Sequence, residues 1–380
     1  MDTYLPAFPT IAQNLGVSIA TVQYTLVSFM LGSTIGQFFS GPLSDSIGRL
    51  RVALMGCVLF SLSSLAIAIS PDLELLLILR GLQGFAAGSA SVVVSAIIAE
   101  NYTGKESARM MSSVTLVILG VPLLAPLIGT FLLKSGDWRY IFYFLAAYSG
   151  IVAMLVWANS PKKRLRPITA EKRDIARSTR TLFTNYRAVL AKPIGRVYLI
   201  AIGMNIAVYS AFATSASFAY MSYLGASLEL FPFLIGANTI SLVIGNRVGV
   251  LLLRNHEPHT VCMIGSLVLA FFCTALLIMV SFFEPSLYAV VGMIVLAAGA
   301  IPMSGPIASA VFMQLYDKNA GTASACMGVA RVMFGMLAGF VVTLLHNGTL
   351  YPMAITMFTI AIIGAISFNR AGRALERSLS

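Results

Sequence analysis

Very few ionisable side chains lie inside the apolar parts of this sequence, and these are the residues most able to do chemistry there. Arg80 stands in the run LILRGLQGFAAG, and Gln83 follows three residues later, on the same face of a helix. An arginine inside a membrane helix costs at least about 2.5–3.5 kcal/mol, so it marks a functional-site hypothesis. We therefore predict that Arg80 pairs with a buried acid. The alternative is an arginine that only binds helix carbonyls.

The acid that could pair with Arg80 is Asp2, in the segment DTYLPAFP. Arg80 lies about one and a half helical turns below the outer end of its run, a depth similar to that of a carboxylate in this segment. Burial favours the protonated carboxyl and a nearby arginine favours the carboxylate, so protonation would respond to distance and access. Asp2 and Arg80 are our predicted proton-coupling pair. The alternative is that Asp2 is merely a residue at a frayed chain end.

The elements that would position these residues are membrane helices. The chain has 380 residues, of which 58% are hydrophobic and only 10% charged, whereas soluble domains carry about 25% charged residues. This composition excludes a soluble enzyme and a nucleic-acid-binding domain. Eleven apolar runs are long enough to cross a bilayer as helices, at 17–40, 51–70, 75–99, 110–133, 140–158, 196–223, 230–253, 260–283, 286–313, 320–345 and 350–368.

The net charge of +11 is a topological signal. Of the 25 Lys and Arg residues, 21 fall in loops on one side of the predicted membrane, which the positive-inside rule makes cytoplasmic. The first complete span then enters from outside, and residues 1–16 resemble the last turns of a helix without its beginning. We expect a twelfth span upstream of Met1. The alternative is an outer N-terminus on an eleven-span protein.

The longest polar stretch divides the spans into five and six. With one span restored at the front the halves are six and six, which is typical of transporters built from two homologous bundles. We predict four segments: an N-terminal helical bundle at 1–158, a cytoplasmic linker at 159–195, a C-terminal helical bundle at 196–369 and a cytoplasmic tail at 370–380.

Several energy sources and chemistries have no matching motif. ATP-driven pumping needs a phosphate-binding loop that ends in Gly-Lys-Ser/Thr, but the pair Gly104-Lys105 is followed by Glu106. The three histidines form no HExxH motif, and the four cysteines show no metal-ligand spacing. We therefore predict no metal, no cofactor and no enzyme activity. An ion gradient would supply the energy.

The segment GPLSDSIGRLRV joins the first two complete spans. Gly41 allows helix ends to approach closely, Gly48 can take a left-handed turn, Asp45 offers a carboxylate at the cytoplasmic boundary and Arg49 holds the loop inside. This segment resembles the cytoplasmic loop of the major facilitator superfamily, with the pattern G-x-L-x-D-x-x-G-R-[RK]. The resemblance implies that Gly41, Asp45, Gly48 and Arg49 latch one conformation. The alternative is an ordinary turn between helices.

The segment LGVPLLAPLIGT contains Gly120, Pro122, Pro126 and Gly129. Proline removes an internal hydrogen bond and kinks a helix, and glycine allows a close crossing. The segment resembles the antiporter motif of drug-exporting facilitators, although two of its glycine positions are replaced. The alternative is a bent helix without a role in export.

Together, YLPAFP, GPLSD, RGLQG, ARMMS, APLIG and DWRYIF resemble drug-resistance transporters of the Bcr/CflA type. The resemblance implies an all-α membrane protein with the major facilitator fold, two six-helix bundles, and a place in the bacterial inner membrane. It implies proton-driven export of phenicol- or bicyclomycin-like antibiotics, with a role for Arg80 in proton transfer. The alternatives are export of a small metabolite such as an amino acid or sugar, and a non-transporting receptor or scaffold.

The expected partners are a small-molecule drug, protons and the lipid bilayer, with no nucleic acid, and we expect a monomer. Polar or aromatic residues in apolar spans would line the substrate cavity. The candidates are Tyr4, Tyr24, Gln83, Asn205, Tyr209, Asn238 and Arg331. With one acid and two arginines in the membrane, the cavity should suit neutral or weakly anionic compounds better than dications. The alternative for these residues is hydrogen bonding between helices.

Overall fold

The fold is helical throughout the part of the chain that the structure describes. The computed structural model describes residues 2–101, 124–134, 136–159, 189–316 and 320–379, with the single residues 110, 114, 117, 121 and 187. No β-strand occurs in these ranges, and the prediction of an all-α protein is confirmed.

The described helices follow one another along the chain in a simple order. A 3₁₀ turn, Asp2–Ala7, leads directly into α1, Phe8–Leu15. The next helices are α2 (Ile19–Ile47), α3 (Arg49–Ala68), α4 (Leu73–Asn101), α5 (Leu124–Lys134) and α6 (Arg139–Asn159). The second half contains α7 (Pro193–Ser217), α8 (Phe231–Leu252), α9 (Pro258–Phe282), α10 (Leu287–Gln314), α11 (Ala320–Leu344) and α12 (Tyr351–Leu379). A π-helical segment, Phe218–Tyr223, extends α7.

Local sequence signals fix several helix ends. The hydroxyl of Ser18 caps α2 by accepting a hydrogen bond from the amide of Thr21, at 3.1 Å. At the other end, Gly48 separates α2 from α3 with φ +98°, a conformation that favours glycine. The positive φ of Gly48 agrees with the predicted need for glycine there, but its ψ of 134° differs from that of the predicted left-handed turn.

Ten of the described helices are long and apolar enough to cross a membrane. The apolar helix α5 is shorter than these ten. It covers only the end of the run predicted at 110–133, because most of the earlier residues of that run lie outside the described part of the chain. The membrane class is confirmed, and the count of eleven complete spans stays a prediction.

The chain forms two compact units, 1–183 and 184–380. Their boundary falls within the linker predicted at 159–195, most of which lies outside the described residues. Because α7 begins at Pro193 and α12 reaches Leu379, helices occupy parts of the predicted linker and tail. The four predicted segment boundaries stay predictions.

In the first unit, α2 and α4 pack through small residues. A side-chain carbon added at Gly84 would collide with the carbonyl of Phe29, and one added at Gly88 with that of Ser33. Such close backbone approach is the usual use of glycine between membrane helices. Gly84 and Gly88, which are four residues apart, therefore form a small-residue contact stripe on α4.

The second unit repeats this packing between α8 and α10. The hydroxyl of Ser241 donates to the carbonyl of Val295 at 2.6 Å, and Gly245 packs against the carbonyl of Gly299. The first unit has the same two contacts at the same spacing, from Ser28 to the carbonyl of Leu77 and from Gly32 to the carbonyl of Gly81. Ser28, Gly32, Leu77 and Gly81 are therefore the counterparts of Ser241, Gly245, Val295 and Gly299, in that order. A position in one unit therefore has a definable counterpart in the other, as in transporters built from parallel repeats.

Candidate functional site

The first unit contains a buried arginine that is enclosed by aromatic rings. Arg80, on α4, is only 2% exposed. Its guanidinium carbon lies 4.6 Å from the ring centre of Phe29, 4.7 Å from that of Tyr4 and 5.9 Å from that of Phe142. A desolvated guanidinium on aromatic faces gains roughly 2 kcal/mol per favourable contact. The rings therefore partly replace the water that Arg80 lacks.

One edge of the guanidinium group is held by a chain of hydrogen bonds. Arg80 Nη1 donates to Gln83 Oε1, and Gln83 Nε2 donates to Ser64 Oγ at 2.6 Å. Ser64 Oγ donates onward to the carbonyl of Phe60 at 2.7 Å. The prediction that Gln83 shares the helix face of Arg80 is confirmed. The chain connects α4 to α3 and fixes the direction of the guanidinium group.

The other edge of the guanidinium group is open. Arg80 Nε and Nη2 are buried and have no hydrogen-bond partner among the residues that the structure describes. A buried cation normally pairs with an acid or another acceptor. The predicted acid, Asp2, has a side chain that lies outside the described part of the chain. Its backbone begins the 3₁₀ turn that carries Tyr4, two residues further on.

This turn is firmly packed into the first unit. Tyr4 Oη lies 3.0 Å from Thr25 Oγ1 on α2, and the Tyr4 ring meets Phe8 and Phe142 at centroid distances of 5.0 and 5.3 Å. On α5, Gly129 is so close to the turn that an added side-chain carbon would collide with the carbonyl of Thr3. The turn is thus held against α2, α5 and α6.

Gly129 belongs to the segment that resembles an antiporter motif. Within that segment Pro126 and Gly129 are buried on α5, while Gly120 and Pro122 lie outside the described residues. Gly129 therefore packs the described end of the motif against the 3₁₀ turn beside Arg80. Its role in transport stays a prediction.

The predicted gating residues lie where α2 ends and α3 begins. Gly41 and Asp45 belong to α2, but their side chains lie outside the described part. Arg49 is the first residue of α3 and is half-buried. The latch that Gly41, Asp45, Gly48 and Arg49 would form stays a prediction.

In the second unit, two predicted cavity residues bond across helices. Asn205 Nδ2, on α7, donates to Ser304 Oγ on α10 at 2.8 Å. Arg331 Nη2, on α11, donates to Ser309 Oγ on α10 at 2.7 Å. The Nε atom of Arg331 is buried and has no partner in the described ranges. Both side chains therefore stabilise helix contacts in this structure.

Two further candidates, Tyr209 and Asn238, lie near Tyr220, which was not among the residues predicted from the sequence. Tyr220 has the side chains of both as neighbours, and its ring contacts Phe212 and Phe231 at centroid distances of 5.6 and 6.4 Å. Tyr220 could have been found by the criterion that selected Tyr209, because both are polar aromatic residues within one apolar run.

The candidates thus gather within each unit. Tyr4 and Gln83 surround Arg80, whereas Tyr24 is half-buried and its neighbour Thr25 is the residue that contacts Tyr4. Ser64 was also missed, and nothing in the sequence separates it from the other serines of α3. That the seven candidates line one cavity stays a prediction.

Comparison with known proteins places the chain in a family. The model described as Major Facilitator Superfamily matches residues 1–343. An uncharacterized MFS-type transporter of Bacillus subtilis, YdgK, is 29% identical over 374 residues, covering 97% of this chain and 90% of that protein. A bicyclomycin resistance protein homolog of Haemophilus influenzae is 27% identical over 370 residues, covering 97% and 91%.

A chloramphenicol resistance protein of Pseudomonas aeruginosa is 27% identical over 377 residues, covering 96% of this chain and 85% of that protein. The crystal structure of a D-xylose–proton symporter has the same fold, with a TM-score of 0.71 at 17% identity, covering 97% of this chain and 92% of that one. These likenesses support the resemblance to drug-resistance transporters of the Bcr/CflA type. The chain belongs to the Major Facilitator Superfamily and is a multi-pass transporter of the bacterial inner membrane, not an enzyme.

Proposed function

We propose that this transporter exports neutral or weakly anionic drugs, of the phenicol or bicyclomycin type, in exchange for protons by alternating access. Relatives named for bicyclomycin and chloramphenicol resistance support the substrate class. The observation that carries proton coupling is the open edge of Arg80, whose buried Nε and Nη2 have no partner among the described residues.

The coupling step follows from the charge of Arg80. An ionised Asp2 pairs with the open guanidinium edge, and the low local dielectric makes this attraction strong. When Asp2 takes up a proton, the pair loses its attraction, and the rings of Tyr4, Phe29 and Phe142 continue to stabilise the cation. The substrate hydrogen-bonds to the ionised Asp2, so a proton on that carboxylate competes with the substrate, which is the requirement for exchange.

The other predicted groups have supporting roles in this proposal. The segment with Gly41, Asp45, Gly48 and Arg49 latches one conformation at the cytoplasmic boundary. Gly120, Pro122, Pro126 and Gly129 shape α5 and the residues before it against the turn that carries Asp2. The substrate meets the polar and aromatic candidates in the two units, and the transporter works as a monomer.

The test compares two arginines that both lie on aromatic rings. Arg139 stacks on Trp138 at 4.6 Å and pairs with Asp137 at 3.2 Å, at the beginning of α6. In proteoliposomes with an imposed pH gradient, Arg80→Lys should lower chloramphenicol transport by about tenfold or more, because ammonium lacks the planar fork that Arg80 uses. Arg139→Lys should leave transport within about twofold of the wild type.

Asp2→Asn tests the acid itself. Removing the titratable group should abolish transport driven by the pH gradient and preserve exchange of labelled for unlabelled drug across the membrane. Full gradient-driven transport by Asp2→Asn would overturn its coupling role. Transport of a metabolite with no effect on any drug would instead favour the metabolite exporter.

A further inference from the structure

We propose that the second half of α10 and the end of the linker move as one body about a hinge at Pro302 and Pro306. This inference rests on the alternating access of the proposed function, and it names the part of the second unit that bends.

The two prolines weaken α10 at one place. Pro302 and Pro306 both lie inside the helix, and residues four apart share a helix face. Proline has no N–H, so the carbonyls of Ala298 and Pro302 lack the donors that a regular helix supplies four residues later. Sharp helix bends are found at such positions. Pro302–Pro306 is therefore the turn at which α10 bends most easily.

The internal repeat has glycines where the second unit has these prolines. Pro302 and Pro306 of α10 correspond to Gly84 and Gly88 of α4. Each of these glycines is so close to a carbonyl of α2 that an added side-chain carbon would collide with it. A proline ring is larger than that carbon, so α10 cannot pack on α8 at this depth as α4 packs on α2.

A cavity lies where this contact is missing in the second unit. It has a volume of about 280 Å³, and both prolines line it together with Asn246 and Val250 of α8 and Ala310 of α10. Asn246 is the counterpart of Ser33, whose carbonyl meets Gly88 in the first unit. The second half of α10 therefore has space to swing towards α8.

Other helices hold the second half of α10 from its remaining sides. Ala308 and Phe312 belong to a buried cluster with Tyr198 of α7 and Cys326 of α11. Among the residues that the structure describes, this cluster contains none from α8. The second half of α10 is thus joined to α7 and α11 and is separated from α8 by the cavity.

The end of the linker is bound to the end of α10. Lys192 Nζ donates to the carbonyl of Leu315 at 2.7 Å and lies 4.8 Å from the centre of the Tyr316 ring. Tyr316 Oη donates to the carbonyl of Val189 at 2.7 Å. Because Val189 and Lys192 precede α7, these contacts join the last residues of the predicted linker to α10. A displacement of the linker is therefore passed to the half of α10 that follows the hinge.

The first experiment compares prolines inside a helix with one at a helix start. The double variant Pro302→Ala, Pro306→Ala should lower kcat for chloramphenicol transport in proteoliposomes about tenfold, with KM within about twofold of the wild type. Its Tm should be unchanged or higher, because alanine restores the helical hydrogen bonds. The control is Pro193→Ala at the first position of α7, where proline breaks no internal bond. Its kcat should stay within about twofold of the wild type.

The second experiment detects the movement itself. Val250→Cys and Ala310→Cys place thiols on opposite walls of the cavity, in a Cys57→Ser background because the other native cysteines are buried. A disulfide requires the two Cα atoms to come within about 7 Å. It should form at least about tenfold more slowly when Pro302 and Pro306 are alanines, because α10 then bends less. The disulfide should stop transport, and its reduction should restore it.

The linker is tested in the same cysteine pair. Lys192→Gln with Tyr316→Phe removes the contacts between the linker and α10 and keeps both prolines. The rate of disulfide formation should change by about threefold or more, since the second half of α10 is then released from the linker. An unchanged rate overturns the joint movement with the linker.

The outcomes separate the hinge from the proposed function. An unchanged kcat or an unchanged disulfide rate in the double proline variant, with drug transport by the wild type, overturns the hinge alone. A fall in kcat together with a fall in Tm shows a structural role and overturns it too. If the double variant does not fold, Pro306→Ala decides by the same two measurements. Absence of chloramphenicol transport by the wild type overturns the proposed function, and the disulfide rates then decide about the hinge.

Discussion

The guanidinium carbon of Arg80 lies 4.7 Å from the centre of the Tyr4 ring, and this contact joins the 3₁₀ turn to α4. The same tyrosine reaches α2, because its hydroxyl lies 3.0 Å from Thr25 Oγ1. One residue therefore holds three elements around the buried cation, and its ring and its hydroxyl can be tested separately.

Tyr4→Phe removes the hydroxyl and keeps the ring over Arg80. Thr25 Oγ1 still donates to the carbonyl of Val22 at 2.6 Å, so it keeps a partner. The free energy of unfolding should fall by about 0.5–1.5 kcal/mol, the usual net value of one hydrogen bond. Tyr4→Leu also removes the cation–π contact and should lose about 2 kcal/mol more. Denaturation in detergent measures both, and equal losses would contradict the cation–π contribution.

Two neighbouring serines test the hydrogen-bond chain that fixes Arg80. Ser63 and Ser64 both donate to the carbonyl of Phe60, but only Ser64 also accepts from Gln83. Ser64→Ala leaves Gln83 Nε2 without this acceptor and should lower the free energy of unfolding by about 1–3 kcal/mol. Ser63→Ala, the matched control, should lose less than about 1 kcal/mol. Equal effects of the two variants would show that the bond to Gln83 contributes nothing.

A pair of glycines tests the packing of α2 on α4. Gly84→Ala places a methyl group against the carbonyl of Phe29, so the helices must separate. We expect a loss of about 1–3 kcal/mol from overpacking, with a lower Tm. Gly292, on α10, has open space around the added carbon, and Gly292→Ala should be neutral or raise the Tm, because alanine favours the helix. Tolerance of Gly84→Ala would contradict the close contact.

His346, in the connection after α11, gives the second unit a pH dependence. Its ring meets Phe218 edge-on at a centroid distance of 4.4 Å, and burial lowers its pKa below the ordinary 6.5. The unfolded chain therefore binds a proton at a higher pH than the folded protein does. The free energy of unfolding should fall as the pH drops from 6.5 to the lower pKa that His346 has in the folded protein. Below that pKa, His346 should cause no further change in stability.

His346→Gln removes the titrating ring and supplies the comparison for that pH dependence. As the pH falls from about 8 to about 5, the Tm of the wild type should decrease relative to the Tm of the variant. A constant difference across this range would exclude His346 as its source.

The sequence by itself determined the membrane class, the helical fold and the shared helix face of Arg80 and Gln83. These features depend on local rules: the bilayer demands long apolar helices, and residues three apart lie on one helix face. The glycine stripe at Gly84 and Gly88 was predictable for the same reason. The positive φ of Gly48 was predictable because glycine can adopt it freely at a break between helices.

Only the tertiary structure decided which residues of different helices meet. It placed Thr25 beside Tyr4, joined Gln83 to Ser64, and brought Tyr220 next to Asn238. The physical reason is that membrane spans are apolar on nearly all sides, since lipid and protein interior are equally apolar. Periodicity then gives no sign of which face points inward. The rotation and depth of each helix are set by its packing against its neighbours.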